Sequence, residues 1–159
     1  MKILLAVDGS PCSEVAAQEV AQRHWPPGST VKIVSVVEPP PLPQPSTLGV
    51  NNPYLLRLAA LAQERAQATT KLAAGFIRQQ QGAALTITGE IAPVSPPSQM
   101  ILQLAETWGA DMIVLGSHGQ RGWKRDWLGS VSRIVAAQAP CSVTIVRCAP
   151  QVGYSTSPK

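Results

Sequence analysis

The stretch Asp111–Ala139 reads DMIVLGSHGQRGWKRDWLGSVSRIVAAQA. Asp111–Gly116 is a short apolar run that stops on glycine, the pattern of a strand buried on both faces. SVSRIVAAQA, residues 130–139, reads as a helix halted by Pro140. Between them, Gly116–Ser130 holds four glycines, three cations and two tryptophans. A strand, a glycine-punctuated basic loop and a helix opening on Gly-Ser form one unit of a parallel α/β sheet. In such a sheet the loop lies beyond the carboxyl end of its strand.

The same alternation extends in both directions. KILLAVD (residues 2–8) is a continuous apolar run bounded by a turn, again a two-face buried strand. Ser10-Pro11 then opens a helix, with serine at the cap and proline in the first turn, and WPPG ends it. TVKIVSVVE (30–38) is the second strand. From Asn52-Pro53 a long helix is expected, with Leu55, Leu58, Leu61/Ala62, Arg65, Ala66, Thr69, Leu72/Ala73 and Phe76 at helical spacing and Gly82 past its end. ALTITGEIA (84–92) is the third strand. SPPSQMILQLAETWGA opens on Ser-Pro, places Ile101, Leu104, Ala105 and Trp108 on one face, and stops at Gly109. CSVTIVR (141–147) is the fifth strand. Strict alternation of strand and helix predicts an α/β fold with five parallel strands, helices on both faces and right-handed crossovers.

The bulk composition fits one globular domain. The chain has 159 residues, 45% apolar and 14% charged, with a net charge of +4 and a pI near 9.3. A mildly basic balance suits an anionic ligand and requires no nucleic acid. The apolar run Ile3–Val7 ends at Asp8, too short for a signal segment, and no stretch approaches a membrane span. A cytoplasmic protein with no membrane or nucleic-acid partner is the expectation. Cys12, Cys141 and Cys148 are odd in number and lack zinc-type spacing, so reduced thiols are expected. No group of residues has metal-ligand spacing.

The loop's glycines are spaced G-x2-G-x9-G-S. Gly116 would let the backbone turn and approach a ligand without a Cβ in the way. Gly119 could take a positive φ and help aim N–H groups into one concavity. Gly129-Ser130 opens a helix whose unpaired N–H groups and dipole favour an anion. The hydroxyls of Ser130 and Ser132 and the charges of Arg121, Lys124 and Arg125 add to the same space. The spacing matches neither the dinucleotide fingerprint nor the P-loop, and no nucleophile elbow is present.

The motifs VLGSHG and LGSVSRIVAAQAPCSVTIVR, with the opening ILLAVDGS, closely resemble the universal stress protein family over about residues 1–148. The resemblance implies a Rossmann-like five-stranded parallel sheet of order 3-2-1-4-5 and a dimeric, cytoplasmic stress-response protein. Residues 149–159 would be a polar tail. The glycine signature implies the branch that binds ATP or AMP. Carried over position by position, Ala6, Val7 and Asp8 would lie at the adenine and ribose end. Val36 would line the adenine pocket and offer backbone hydrogen bonds. Leu115 and Gly116 would border the ribose. His118, Gly119, Gly129, Ser130, Val131 and Ser132 would meet the phosphates. Magnesium would accompany ATP, held by phosphates and water. Ala6 stands where some binders have proline, and Trp123 and Trp127 where smaller aliphatic residues are usual.

Several positions keep more than one reading. Asp8 is a helix cap, a ligand contact, or both. His118 is a phosphate contact, a catalytic base without a visible partner, or an exposed loop residue. Trp123 and Trp127 cover the last helix, a nucleotide or a second subunit. Residues 39–53, with six prolines, are a linker, a flap or a polyproline segment read by a partner. The last strand, Ser142 to Arg147, is a sheet edge that pairing with its twin in a homodimer would cover. The rivals to nucleotide binding are a slow ATPase and a nucleotide-free interaction module.

Overall fold

The computed structural model describes residues 1–37, 53–93, 95–120 and 128–148. The proline-rich segment, the basic stretch 121–127 with both of its tryptophans, and the tail from residue 149 lie outside the described residues.

Nine main elements alternate along the chain. They are β1 (Lys2–Ala6), α1 (Pro11–Gln22), β2 (Thr30–Val36), α2 (Pro53–Gln81), β3 (Thr86–Ala92), α3 (Pro97–Trp108), β4 (Met112–Gly116), α4 (Ser130–Gln138) and β5 (Ser142–Val146). A short 3-10 turn, Gly82–Ala84, follows α2. The five strands form one parallel sheet of order β3-β2-β1-β4-β5. This is the Rossmann-like arrangement expected from the alternation and the resemblance.

The apolar run at the start of the chain supplies both faces of the core. Ile3, Leu5 and Val7 point to one side, where Ala16, Val20 and Ile77 of α1 and α2 cover them. Leu4 points to the other side, with Val34, Ile113, Ile101, Ala105 and Val135, under α3 and α4. The alternation follows from the period of two along a strand.

Local chemistry sets the element ends. Ser10 caps α1 by accepting the N–H of Ser13 at 3.2 Å. Gly109 closes α3 in the left-handed region at φ 66°, the usual conformation for a residue just past a helix end. In α3 the N-cap is Pro96 and not the serine of the Ser-Pro pair, and no side chain caps it.

Two features position the site. First, β1 pairs with β2 on one side and β4 on the other, with Ala6 level with both Val34 and Leu115. The chain's connections diverge there, so the carboxyl ends of β1 and β4 flank an open crevice. Second, α2 has 29 residues. It is about 43 Å long, roughly twice the span of a seven-residue strand. Its buried residues begin only at Ala66, so its first half stands above the carboxyl end of the sheet.

The cysteines depart from the sequence expectation. Cys12 and Cys148 form a disulfide, with Cα atoms 4.8 Å apart, and Cys141 is free. The two are 136 residues apart in sequence, so only the fold reveals their proximity. β5 ends two residues before Cys148, directly beside the first turn of α1. Among the described residues, no helix is long and apolar enough to cross a membrane.

Candidate functional site

The crevice holds a cavity of about 700 Å³ at the carboxyl ends of β1, β2 and β4. Its volume falls in the range of small-molecule sites. All twelve residues singled out from the sequence line it: Ala6, Val7, Asp8, Val36, Leu115, Gly116, His118, Gly119, Gly129, Ser130, Val131 and Ser132. They come from β1, β2, β4, the loop after β4 and the start of α4.

Asp8 organises the floor. Its Oδ1 accepts the N–H of Ser10 at 2.9 Å, and its Oδ2 accepts the N–H of Gln120 at 3.1 Å. The Gln120 side-chain amide donates to the Asp8 carbonyl. Asp8 therefore ties the end of β1 to the loop after β4, while the α1 cap is Ser10. A Cβ on Gly119 would lie 2.6 Å from Asp8 Oδ2. Glycine therefore leaves room for the Asp8 carboxylate and is not there for a positive φ, since Gly119 lies outside the left-handed region.

Gly116 also serves a different purpose from the one expected. A Cβ there would lie 2.7 Å from the Cys12 carbonyl carbon and 2.9 Å from its oxygen. Glycine at the end of β4 lets α1 pack close, not a ligand. Thus two glycines of the spacing are explained by contacts within the chain.

The third glycine opens α4. Gly129 is the N-cap of that helix, and its own N–H donates to the Ser117 carbonyl at 2.7 Å. The Ser132 hydroxyl donates to the same carbonyl at 2.8 Å and lies 3.1 Å from the Gly129 carbonyl. Both groups were expected to face a ligand, and both are instead used within the chain. Among the described residues, no acceptor pairs with the N–H groups of Ser130, Val131 or Ser132, and no side chain caps the helix. These three orphan donors and the positive dipole end line the cavity.

Opposite, the last rung between β1 and β2 is the Val7 N–H donating to the Val34 carbonyl at 2.9 Å. Backbone groups of alternate residues point to the same neighbour in a parallel ladder, so Val36 directs its N–H and carbonyl past that rung. His118 Nδ1 sits 3.1 Å from Ser117 Oγ. Ser117 is buried and His118 half-buried, and both line the cavity. Among the described residues, no three of His, Cys, Asp or Glu gather to hold a metal ion.

α2 supplies a wall that was read only as a core helix. Leu58, Leu61, Ala62 and Arg65 line the cavity from its protruding half, and Thr69 from the first turn of its buried half. The signal was a cation in the inward stripe, since Arg65 is the one charged residue on a mostly apolar face. Gln120 and Ser117 carried no such mark; their roles depend on which backbone groups the fold brings near.

The comparisons agree with this architecture. The model of the universal stress protein family matches residues 1–147. A curated relative, the universal stress protein in the QAH/OAS sulfhydrylase 3′ region of Thermus aquaticus, is 34% identical over 148 residues, covering 91% of this chain and 97% of its own. The solved universal stress protein UspA of Lactobacillus plantarum superposes with a TM-score of 0.76 at 27% identity, covering 92% of this chain and 97% of its own. A family member from Arabidopsis thaliana, solved with AMP bound, shares the fold with a TM-score of 0.63 at 13% identity, covering 94% of this chain and 93% of its own. On the match of the family model over residues 1–147, this chain belongs to the universal stress protein family.

Proposed function

We propose that the cleft binds an adenine nucleotide, ATP or AMP, and that the protein acts as a nucleotide-responsive regulator and not as a dedicated enzyme. The observation that carries the reading is the set of amides of Ser130, Val131 and Ser132 at the start of α4, which have no acceptor among the described residues and line the 700 Å³ cavity. A helix start with free donors welcomes phosphate oxygens. At the other end of the cleft, Val36 offers a backbone donor and acceptor to a purine edge. Ala6, Val7 and Asp8 border the ribose position, with Leu115 and Gly116 across from them. His118 and Gly119 flank the phosphates. The AMP bound to the Arabidopsis relative supports the choice of adenine. Magnesium, where ATP is the ligand, would be held by the phosphates and water.

A single substitution tests the phosphate site. Ser130→Asp places a carboxylate on the first turn of α4, where it stabilises the helix by its dipole and competes for the same amides. The variant should fold as well as the parent and bind ATP at least about tenfold more weakly, given the strength of charge-assisted hydrogen bonds. Calorimetry reads both affinities. Equal binding by parent and variant would place the phosphates elsewhere, and no binding by the parent would end the reading.

The same reading includes a homodimer built by Ser142 to Arg147. β5 is an edge strand, with only β4 beside it. Val143 and Ile145 are partly buried in the core, and pairing with a twin strand would satisfy the outer backbone groups. Sedimentation equilibrium at micromolar concentration should give the mass of two chains; a single-chain mass would count against it.

A further inference from the structure

We propose that Cys12 and Cys148 form a reversible redox site whose state is passed to the α4 end of the cleft through Ser117. The pair itself stands apart from the nucleotide reading, and only its effect on nucleotide affinity rests on that reading.

The placement favours reversible chemistry. Cys12 is the second residue of α1, directly after Pro11, and is buried at 2% exposure. A helix N-terminus stabilises a thiolate. The Ser117 hydroxyl is placed to donate to Cys12 Sγ at 3.8 Å, a further stabilising contact. Cys148 is only partly buried. A dithiol reductant therefore attacks the sulfur of Cys148 and forms a mixed disulfide. Cys12, buried and out of reach of the reductant, departs as the thiolate at the start of α1. The second thiol of the reductant then attacks the mixed disulfide, releasing Cys148 as thiolate and the reductant as its own disulfide. In the other direction, hydrogen peroxide oxidises one thiolate to the sulfenic acid and is reduced to hydroxide. The partner thiol attacks that sulfur, the S–S bond forms and the sulfenic oxygen leaves as water. Two thiols and one peroxide yield one disulfide and two waters.

Ser117 connects this chemistry to the cleft. Its hydroxyl contacts Cys12 Sγ, and its carbonyl holds the Gly129 N–H and the Ser132 hydroxyl. A thiolate at Cys12 is a stronger acceptor than a disulfide sulfur, so reduction pulls on the Ser117 side chain. The backbone has no slack there, because even a Cβ on Gly116 would collide with the Cys12 backbone. Movement of Cys12 is therefore felt by the residue that anchors the start of α4.

Three measurements on the full chain test the proposal. The folded protein is treated with peroxide or dithiothreitol, quenched in acid, unfolded and labelled with a polyethylene-glycol maleimide. One label per chain is expected after peroxide, on Cys141, and three after dithiothreitol. Three labels after peroxide, or a link involving Cys141, overturn the pair. Hydrogen exchange is then read at the Gly129 and Arg133 amides, both paired at the start of α4. Exchange should differ at least about threefold between oxidised and reduced protein, and not at all in Cys148→Ser, as expected of coupled sites. Equal rates in the parent overturn the coupling. Finally, ATP affinity should change with redox state in the parent and not in Cys148→Ser. If the parent binds no ATP in either state, the nucleotide reading fails, while label count and exchange still decide the redox site.

Discussion

Gly119 and Gly116 belong to one sequence motif but answer to different neighbours, so replacing each with alanine separates two consequences. A Cβ on Gly119 meets a carboxylate oxygen at the end of the Asp8 side chain, which can rotate away. The cost to the fold is then below about 1 kcal/mol, but Asp8 loses its grip on the Gln120 N–H and the cleft floor is disturbed. A Cβ on Gly116 meets the Cys12 backbone, which cannot yield, and overpacking of this kind costs about 1–3 kcal/mol. Gly119→Ala should therefore keep its melting temperature and lose nucleotide affinity, whereas Gly116→Ala should melt several degrees lower. Equal melting losses in thermal scans would contradict this assignment. Cys141 offers a second test at the same scale. Burial pushes its thiol above the ordinary value, the Asp111 carboxylate adds to the rise, and a backbone hydrogen bond from Ile113 opposes it. A raised pKa means less thiolate at neutral pH, so alkylation should be slow at pH 7. In the oxidised protein, where Cys141 is the free thiol, the rate with iodoacetamide should keep rising with pH beyond the range of an ordinary cysteine. A plateau near pH 8 would contradict the direction of the shift.

Among the elements, α2 supplies the cavity wall that carries a cation, Arg65. Arg65 lies one turn before Thr69, whose hydroxyl would sit 3.1 Å from a Cβ built on Gly9. This places Arg65 on the wall above the Asp8–Gly9 turn. It lines the cavity and forms no ion pair among the described residues. With a nucleotide bound as proposed, a guanidinium in that position would add a charge-assisted contact to phosphate, worth about 1.5–3 kcal/mol. Arg65→Gln should therefore weaken ATP about tenfold and leave adenosine nearly unchanged; equal losses for both ligands would assign Arg65 to packing. The sequence carried part of this. The inward stripe with its odd cation was visible, as were the alternating strands and the two-sided burial of Ile3–Val7. What it could not carry was α2's reach past the sheet, because helical spacing continues unchanged from the buried half into the protruding one. Nor did the glycine spacing reveal which amides stay open. The Gly129 N–H and the Ser132 hydroxyl look like ligand donors until the Ser117 carbonyl is brought beside them.

At the scale of the molecule, the two faces of the sheet are closed by different pairs of helices, and one covalent link joins the first helix to the end of the last strand. Cys12 and Cys148 lie 136 residues apart, so the link encloses nearly the whole fold in one loop. Closing so long a loop removes much of the unfolded chain's freedom, about 5 kcal/mol in the chain-entropy model. The folded state supplies little opposition, because the sheet already holds β5 beside β4 and packs α1 with α2 on one of its faces. Native disulfides commonly reach about 2–4 kcal/mol, which for a chain of this size raises the melting temperature by about 5–15 °C. Calorimetric melting of the oxidised protein against the dithiothreitol-treated protein should show that rise. The Cys148→Ser variant should melt alike with and without reductant, near the reduced parent, because it removes the link while leaving the buried core side chains, Cys12 among them, in place. Were the parent to melt at one temperature in both redox states, the link would impose no constraint on the unfolded chain, and closure between α1 and the end of β5 would have to come from packing alone.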